Sequence, residues 1–312
     1  MTRISLTVIL ILFSAANTLA FGVKQISAEP EIKKTAVPEP QSIPQPTRAE
    51  RIVKSLAQVY PDRIEKTEFR NNDWALLMNG KWYYFAGGRL LPENMLENAD
   101  NFRPNQFYQY PADLPPWKEL TPEEIKRYNS WTESRSQNPP RRSSFFLDEL
   151  WQAPNRAETE KRLVKITFLG KSTKVHQSIQ KKIEMVESII VALGKIDPQV
   201  QTWINGLGSL EGYGWRNIAE TQSRSFHSYG LALDLLPRNM GNKQTYWLWT
   251  SQYRDDWYNV SYNERYHPPD SVIKTFEVHG FVWGGKWPMF DTMHFEYRPE
   301  VMIINGLPLL TN

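Results

Sequence analysis

The stretch "SFHSYGLALDLLP", residues 225–237, sets a histidine seven residues before an aspartate, with a glycine and an apolar run between them. "LALDLL" reads as a buried strand in which Ala232 and Asp234 point to the same side. Gly230 allows the chain to bend, or another backbone to approach closely, just after His227. A carboxylate buried there without a partner would cost on the order of several kcal/mol. A divalent cation shared by His227 and Asp234 removes that cost.

Zinc suits imidazole nitrogen plus carboxylate oxygen, and a catalytic zinc takes three protein ligands and keeps one position for water. "WGGKWPMFDTMHFEY", residues 283–297, offers His294 as the third ligand, with Asp291 three residues earlier. A carboxylate beside the metal but not bound to it can take a proton from water and pass it to a leaving amine. The competing reading makes His227 and His294 hydrogen-bonded core histidines and pairs Asp234 with an arginine. The remaining three of the five histidines invite plainer roles. His176 precedes a helix as a surface or capping residue, and His267 lies in a proline-rich loop. His279 closes a helix, where positive charge is favourable.

Together the two stretches resemble the D-alanyl-D-alanine carboxypeptidase family of zinc peptidases. That family includes vancomycin-resistance D,D-peptidases and phage L-alanyl-D-glutamate endolysins. "SFHSYGLALD" matches its Ser-x-His-x-x-Gly-x-Ala-x-Asp signature, and "WGGKWPMFDTMHFE" resembles the second signature of the endolysin subgroup. The resemblance covers roughly residues 163–300. It implies one zinc ion held by His227, Asp234 and His294, with Asp291 as general base. It also implies an arginine upstream of the first ligand to stabilise the oxyanion. Here "EGYGWRNIAETQSRSFH" carries an extra Gly214-Trp215 pair, so that Arg216 is the candidate and Arg224 its competitor. Ser225 either fixes the loop or touches substrate. The implied fold is α+β, the hedgehog/D,D-peptidase type, in which a small antiparallel sheet with helices carries the metal in a cleft.

Working outward, "LVKITFLG" at 163–170 alternates like a strand. Ile179, Ile183, Val186, Ile190 and Leu193 then mark one continuous helical face. A later helix is expected from an N-cap at Asp270 to Gly280. Upstream, "DWALLMNGKWYYFAGGRLLP" reads as a hairpin at about 74–86 turning at Asn79-Gly80. Residues 49–60 suit a short amphipathic helix. Residues 100–162, apart from a short helix at 122–131, suit irregular structure wrapped over the main domain.

The first twenty residues have a positive start, an apolar middle and a small-residue cleavage site, as a signal peptide does. Residues 21–48 contain five prolines and suit an extended linker. The expected organisation is therefore signal peptide 1–20, linker 21–48, an accessory amino-terminal region 49–162 of unknown role, and a zinc peptidase domain 163–312. With 312 residues, 40% hydrophobic and no cysteine, the chain must be stable without disulfides. A net charge of +3 without a lysine-rich stripe speaks against nucleic acid, and no stable membrane span is expected once the signal is cleaved.

These readings lead to an exported protein of the periplasm or cell envelope. It would hydrolyse peptide bonds in peptidoglycan stem peptides, as a D-Ala-D-Ala carboxypeptidase or an L-Ala-D-Glu endopeptidase. The alternative is a zinc-containing module that binds peptidoglycan or protein without cleaving it.

Overall fold

The computed structural model describes residues 46–137 and 139–310. The expected signal peptide, and all but the end of the stretch expected to be a linker, lie outside the described residues. Among the described residues no helix is long and apolar enough to cross a membrane. Residues from Pro46 onward form one compact unit.

Its first helix, α1 (Arg48–Val59), starts where Thr47 caps the Glu50 amide, and it buries Ile52, Val53 and Leu56 on one face. Strands β1 (Lys66–Arg70), β2 (Asp73–Met78), β3 (Lys81–Tyr84) and β4 (Leu91–Pro92) follow as an antiparallel sheet in chain order. The expected hairpin is the β2–β3 pair, turning at Asn79-Gly80. The amino-terminal region is thus more regular than a lone hairpin. Leu76, Met78 and Tyr83 face the core, which is why the sheet persists there.

Residues 102–121 are irregular, but three helices break the expected loop: α2 (Pro122–Ser136), α3 (Phe145–Leu150) and α4 (Arg156–Glu160). A capping box between Thr121 and Glu124 starts α2. Its last turn is tied down by Arg135, which donates to the Ala219 carbonyl at 2.5 Å and carries the helix five residues past the expected end.

The carboxy-terminal half mixes a hairpin, helices and a second sheet. Strands β5 (Leu163–Phe168) and β6 (Lys171–His176) pair with each other. They precede α5 (Gln180–Gly194), which buries Ile183, Val186 and Ile190, and α6 (Pro198–Gly206). The second sheet contains β7 (Leu207–Glu211), β8 (Ala232–Pro237), β9 (Phe281–Trp283) and β10 (His294–Tyr297). Their order is β7-β8-β10-β9, all antiparallel. Helices α7 (Trp247–Ser251), α8 (Asp270–Val278) and α9 (Pro299–Ile304) complete the unit. The whole is α+β.

The expected cap of α8 is corrected by one residue. Pro269 occupies the cap position, and Asp270 is the first helical residue with no capping hydrogen bond. Its carboxylate leans towards His267, 3.7 Å away, and favours the helix start through its charge instead. His176 is buried, not on the surface, and it does cap, its Nδ1 accepting from the Ser178 amide at 3.2 Å. His279 is also buried and donates through Nδ1 to the Thr275 carbonyl at 2.7 Å.

One continuous core runs from Ile52 and Leu56 of α1 through Phe168, Ile183 and Leu233 to Phe295. Residues 106–112 form a strap over the carboxy-terminal half. Arg298, Asn305 and Lys286 donate to the carbonyls of Gln106 (2.6 Å), Tyr108 (3.0 Å) and Ala112 (2.7 Å) respectively.

Candidate metal centre

Strands β8 and β10 place Asp234 directly opposite His294. The Leu235 amide donates to the Met293 carbonyl at 2.9 Å, a bond that flanks the pair without joining it. Antiparallel partners of that kind have the closer Cα atoms, about 4.5 Å apart, and project their side chains together. His294 Nδ1 accordingly lies 2.8 Å from Asp234 Oδ1.

His227 arrives from a different element, a short 3-10 turn over Phe226–Tyr229. Ser225 opens the turn by accepting from the His227 amide at 3.3 Å. Gly230 closes it at φ 70°, where a Cβ would also come within 2.7 Å of the His176 amide nitrogen. The turn brings His227 Nε2 to 3.2 Å from both Asp234 Oδ1 and His294 Nδ1. His227, Asp234 and His294 are 1%, 5% and 8% exposed, and their ligating atoms form a group that could hold a metal ion.

The outer atoms of both rings are tied down. His227 Nδ1 meets the Gly212 carbonyl at 2.5 Å, just past the end of β7. His294 Nε2 meets Glu296 Oε2 at 3.3 Å, and Arg298 holds the other oxygen of Glu296 at 3.2 Å. Carbonyl and carboxylate only accept, so each outer nitrogen carries the proton and each inner nitrogen presents a lone pair. Two lone pairs and a carboxylate oxygen then face one another at 2.8–3.2 Å, which is repulsive unless a cation sits between them. Tetrahedral ligands about 2.1 Å from zinc are about 3.4 Å apart, so the donor set fits such an ion with a small outward adjustment. Burial disfavours a charged His294, but hydrogen bonds to Asp234 and Glu296 outweigh it and hold the imidazole well above its ordinary range. Burial likewise raises Asp234, yet its bonds to His227 and His294 win and keep it ionised.

Asp291 reaches the site through a tight loop. Its amide donates to the Gly284 carbonyl at 3.0 Å, and its carbonyl accepts from the His294 amide at 3.3 Å. A Cβ on Gly284 would stand 2.5 Å from the Asp291 carbonyl oxygen, so only glycine permits the approach. Asp291 Oδ1 is shut from water and has no hydrogen-bond partner. Burial pushes its carboxyl up to about 7, with Asp234 and Glu296 adding to the rise and His294 and Arg216 opposing it.

The two candidate arginines part company. Arg216 extends Nη2 to 3.5 Å from Asp234 Oδ2 and leaves 48% of its side chain exposed. Arg224 instead binds Asp148 at 2.5 Å and the Ala153 carbonyl at 2.8 Å, with its guanidinium stacked on Tyr229 and Trp215. The extra Gly214-Trp215 pair is absorbed by a clip. The Gly214 amide donates to the His227 carbonyl at 3.1 Å, and the Arg216 amide to Ser228 Oγ at 3.0 Å. Ser225 is buried with its hydroxyl engaged in opening the turn.

Three participants escaped the sequence reading. Glu296 follows His294 by two residues on one strand face, a spacing that does point to it. The Gly212 carbonyl has no sequence signature. Tyr246 pairs with Asp291 through the backbone from nearly fifty residues away, which no local pattern reveals.

Among family models, one described as D-alanyl-D-alanine carboxypeptidase matches residues 219–297, a span that holds all three candidate ligands and Asp291 but not Arg216. A second, described as a domain of unknown function, matches residues 52–107. No curated protein and no solved structure gave a match.

Proposed function

We propose that the protein is a zinc-dependent peptidase that hydrolyses peptide bonds in peptidoglycan stem peptides, of the D-Ala-D-Ala carboxypeptidase or L-Ala-D-Glu endopeptidase type. The observation that carries this reading is the convergence of three ligating atoms beside a carboxylate, Asp291, whose Oδ1 has no partner. The family match over residues 219–297 supports the substrate class.

His227, Asp234 and His294 would hold the ion. Zinc supplies Lewis acidity, acidifying water and polarising a carbonyl. The Asp291 carboxylate takes a proton from the attacking water and delivers it to the departing amine. Arg216, anchored through its backbone to Ser228, offers N–H donors to the carbonyl oxygen as charge develops there. Arg224 and Ser225 act further back, fixing the turn that carries His227. Export to the cell envelope fits this chemistry, because the polymer lies outside the cytoplasmic membrane.

The test is mass spectrometry of muropeptides digested with the purified, zinc-loaded chain. Product release is expected, and Asp291→Asn should cut kcat by about 10²–10⁴-fold with one zinc retained. Digestion that yields no product, or an Asp291→Asn chain as active as the original, defeats the reading. The general base must be ionised, so kcat/KM should fall as pH drops. Burial pushes the Asp291 carboxyl up to about 7, and a bound cation draws that limb lower.

A further inference from the structure

Residues 245–247 run antiparallel to residues 290–292. The Thr292 amide donates to the Thr245 carbonyl at 2.8 Å, and the Trp247 amide to the Phe290 carbonyl at 2.9 Å. Between those bonds Tyr246 stands opposite Asp291. The bonds flank the pair without joining it, so this is again the close type, with Cα atoms about 4.5 Å apart and both side chains on one side.

The tyrosine is longer by a ring. Its side chain therefore leaves the backbone beside Asp291, and the charges that act on its hydroxyl are Asp291, Arg135, Glu220 and Asp234. Trp249 braces the ring edge-on at 5.6 Å and Trp247 at 6.1 Å. The hydroxyl has no hydrogen bond to any other described residue, and Tyr246 is only half-buried. A ring held on its sides with a free hydroxyl at its tip is suited to a ligand.

We propose that Tyr246 is a further catalytic residue, its hydroxyl donating a hydrogen bond to the substrate's carbonyl oxygen as that oxygen takes up negative charge. This rests on the peptidase reading above. Asp291 accepts protons and Tyr246 donates a hydrogen bond, so the neighbours divide the work on opposite signs of charge. Burial, followed by the negative charge of Asp291, pushes the phenol up to about 12, which keeps the donor proton in place through neutral pH. Tyr246 would share this role with Arg216, whose guanidinium is half-exposed and also faces Asp234 and Glu211. No covalent step is added. Water is consumed, a carboxylate and an amine are released, and the tyrosine keeps its proton.

The test compares the zinc-loaded full chain with Tyr246→Phe, which retains the ring and its packing. Removing one oxyanion donor lowers kcat by about 10²–10³-fold in comparable sites. A fall of about 100-fold is expected, with KM within about threefold, zinc content unchanged and the thermal midpoint unchanged. Affinity for a phosphinate analogue of the stem peptide should fall by a similar factor, while affinity for the cleaved peptide should not. Unchanged kcat and phosphinate affinity overturn the proposal, as does a loss confined to KM. Should Tyr246→Phe unfold, Tyr246→Gln, which keeps a donor, must retain more activity than Tyr246→Ala, and equal loss in both overturns it. If the wild-type chain loads zinc but cleaves no muropeptide, the peptidase reading itself falls, a result distinct from any behaviour of the variants.

Discussion

Glu296 and His294 leave the same face of β10, and Glu296 is held in turn by Arg298. A carboxylate behind a metal-binding histidine fixes the ring and raises its basicity, and its loss typically lowers metal affinity 10–100-fold. Glu296→Gln keeps an acceptor but removes the charge, so a loss of about tenfold in zinc affinity is expected, measured by competition with a chelator. Zinc binding equal to wild type would show that Glu296 serves only Arg298. At this scale the sequence was legible where physics made a residue awkward. Asp234 stands out because a charge sits inside an apolar strand, His294 because it can supply the third ligand that His227 and Asp234 need, and Asp291 because it lies three residues before His294. Arg216 and Arg224 could not be separated from sequence, because what divides them is Asp148, seventy-six residues from Arg224 along the chain.

Among the elements, the Gly284 turn and the β6 end illustrate two kinds of constraint. Gly284→Ala would force its methyl into the Asp291 carbonyl, so the loop must shift. The expected outcome is a loss of activity approaching that of Asp291→Asn with zinc still bound, since the ligands sit on β8, β10 and the 3-10 turn. Full activity in Gly284→Ala would show that Asp291 does not depend on this approach. At the end of β6, His176 is neutral. Its Nε2 donates to the Trp151 carbonyl at 3.0 Å while Nδ1 accepts from Ser178. Burial pushes it from an ordinary 6.5 down to about 4. Between those values the unfolded chain binds the proton that the native state refuses, so stability is full above about 6.5 and lost as pH falls through about 4. His176→Gln should flatten the slope of the melting temperature over that window, and an unchanged slope would assign the loss to other groups. Elements with strong periodicity, such as α5 and the β2–β3 hairpin, could be read directly. The strap at 106–112 could not, because it is held largely through backbone carbonyls, which every residue possesses.

At the scale of the molecule, the family match at 52–107 and the one at 219–297 fall on regions that share a core. A buried polar chain also joins them. Tyr60, which closes α1, donates to Glu300 at 2.8 Å. Glu300 and Glu296 both hold Arg298, and Glu296 reaches His294. The amino-terminal helix is thus four hydrogen-bonded side chains away from a candidate metal ligand. By sequence, residues 49–162 read as an accessory to a zinc domain at 163–312, since the two differ in pattern and only the second carries signatures. Shared burial across them is invisible locally, because Ile52 and Leu56 do not reveal what they pack against. A chain starting at residue 163 would expose Arg298, Glu300 and one side of the core to water. It is expected to show no cooperative thermal transition, and a cooperative melt would establish independence instead. Tyr60→Phe probes the same connection more gently, leaving Glu300 short of one buried donor at a cost of about 1–3 kcal/mol. If the polar chain also orients His294, zinc affinity should fall alongside stability in that variant. A loss of stability with zinc affinity intact would confine Tyr60 to holding α1 against α9.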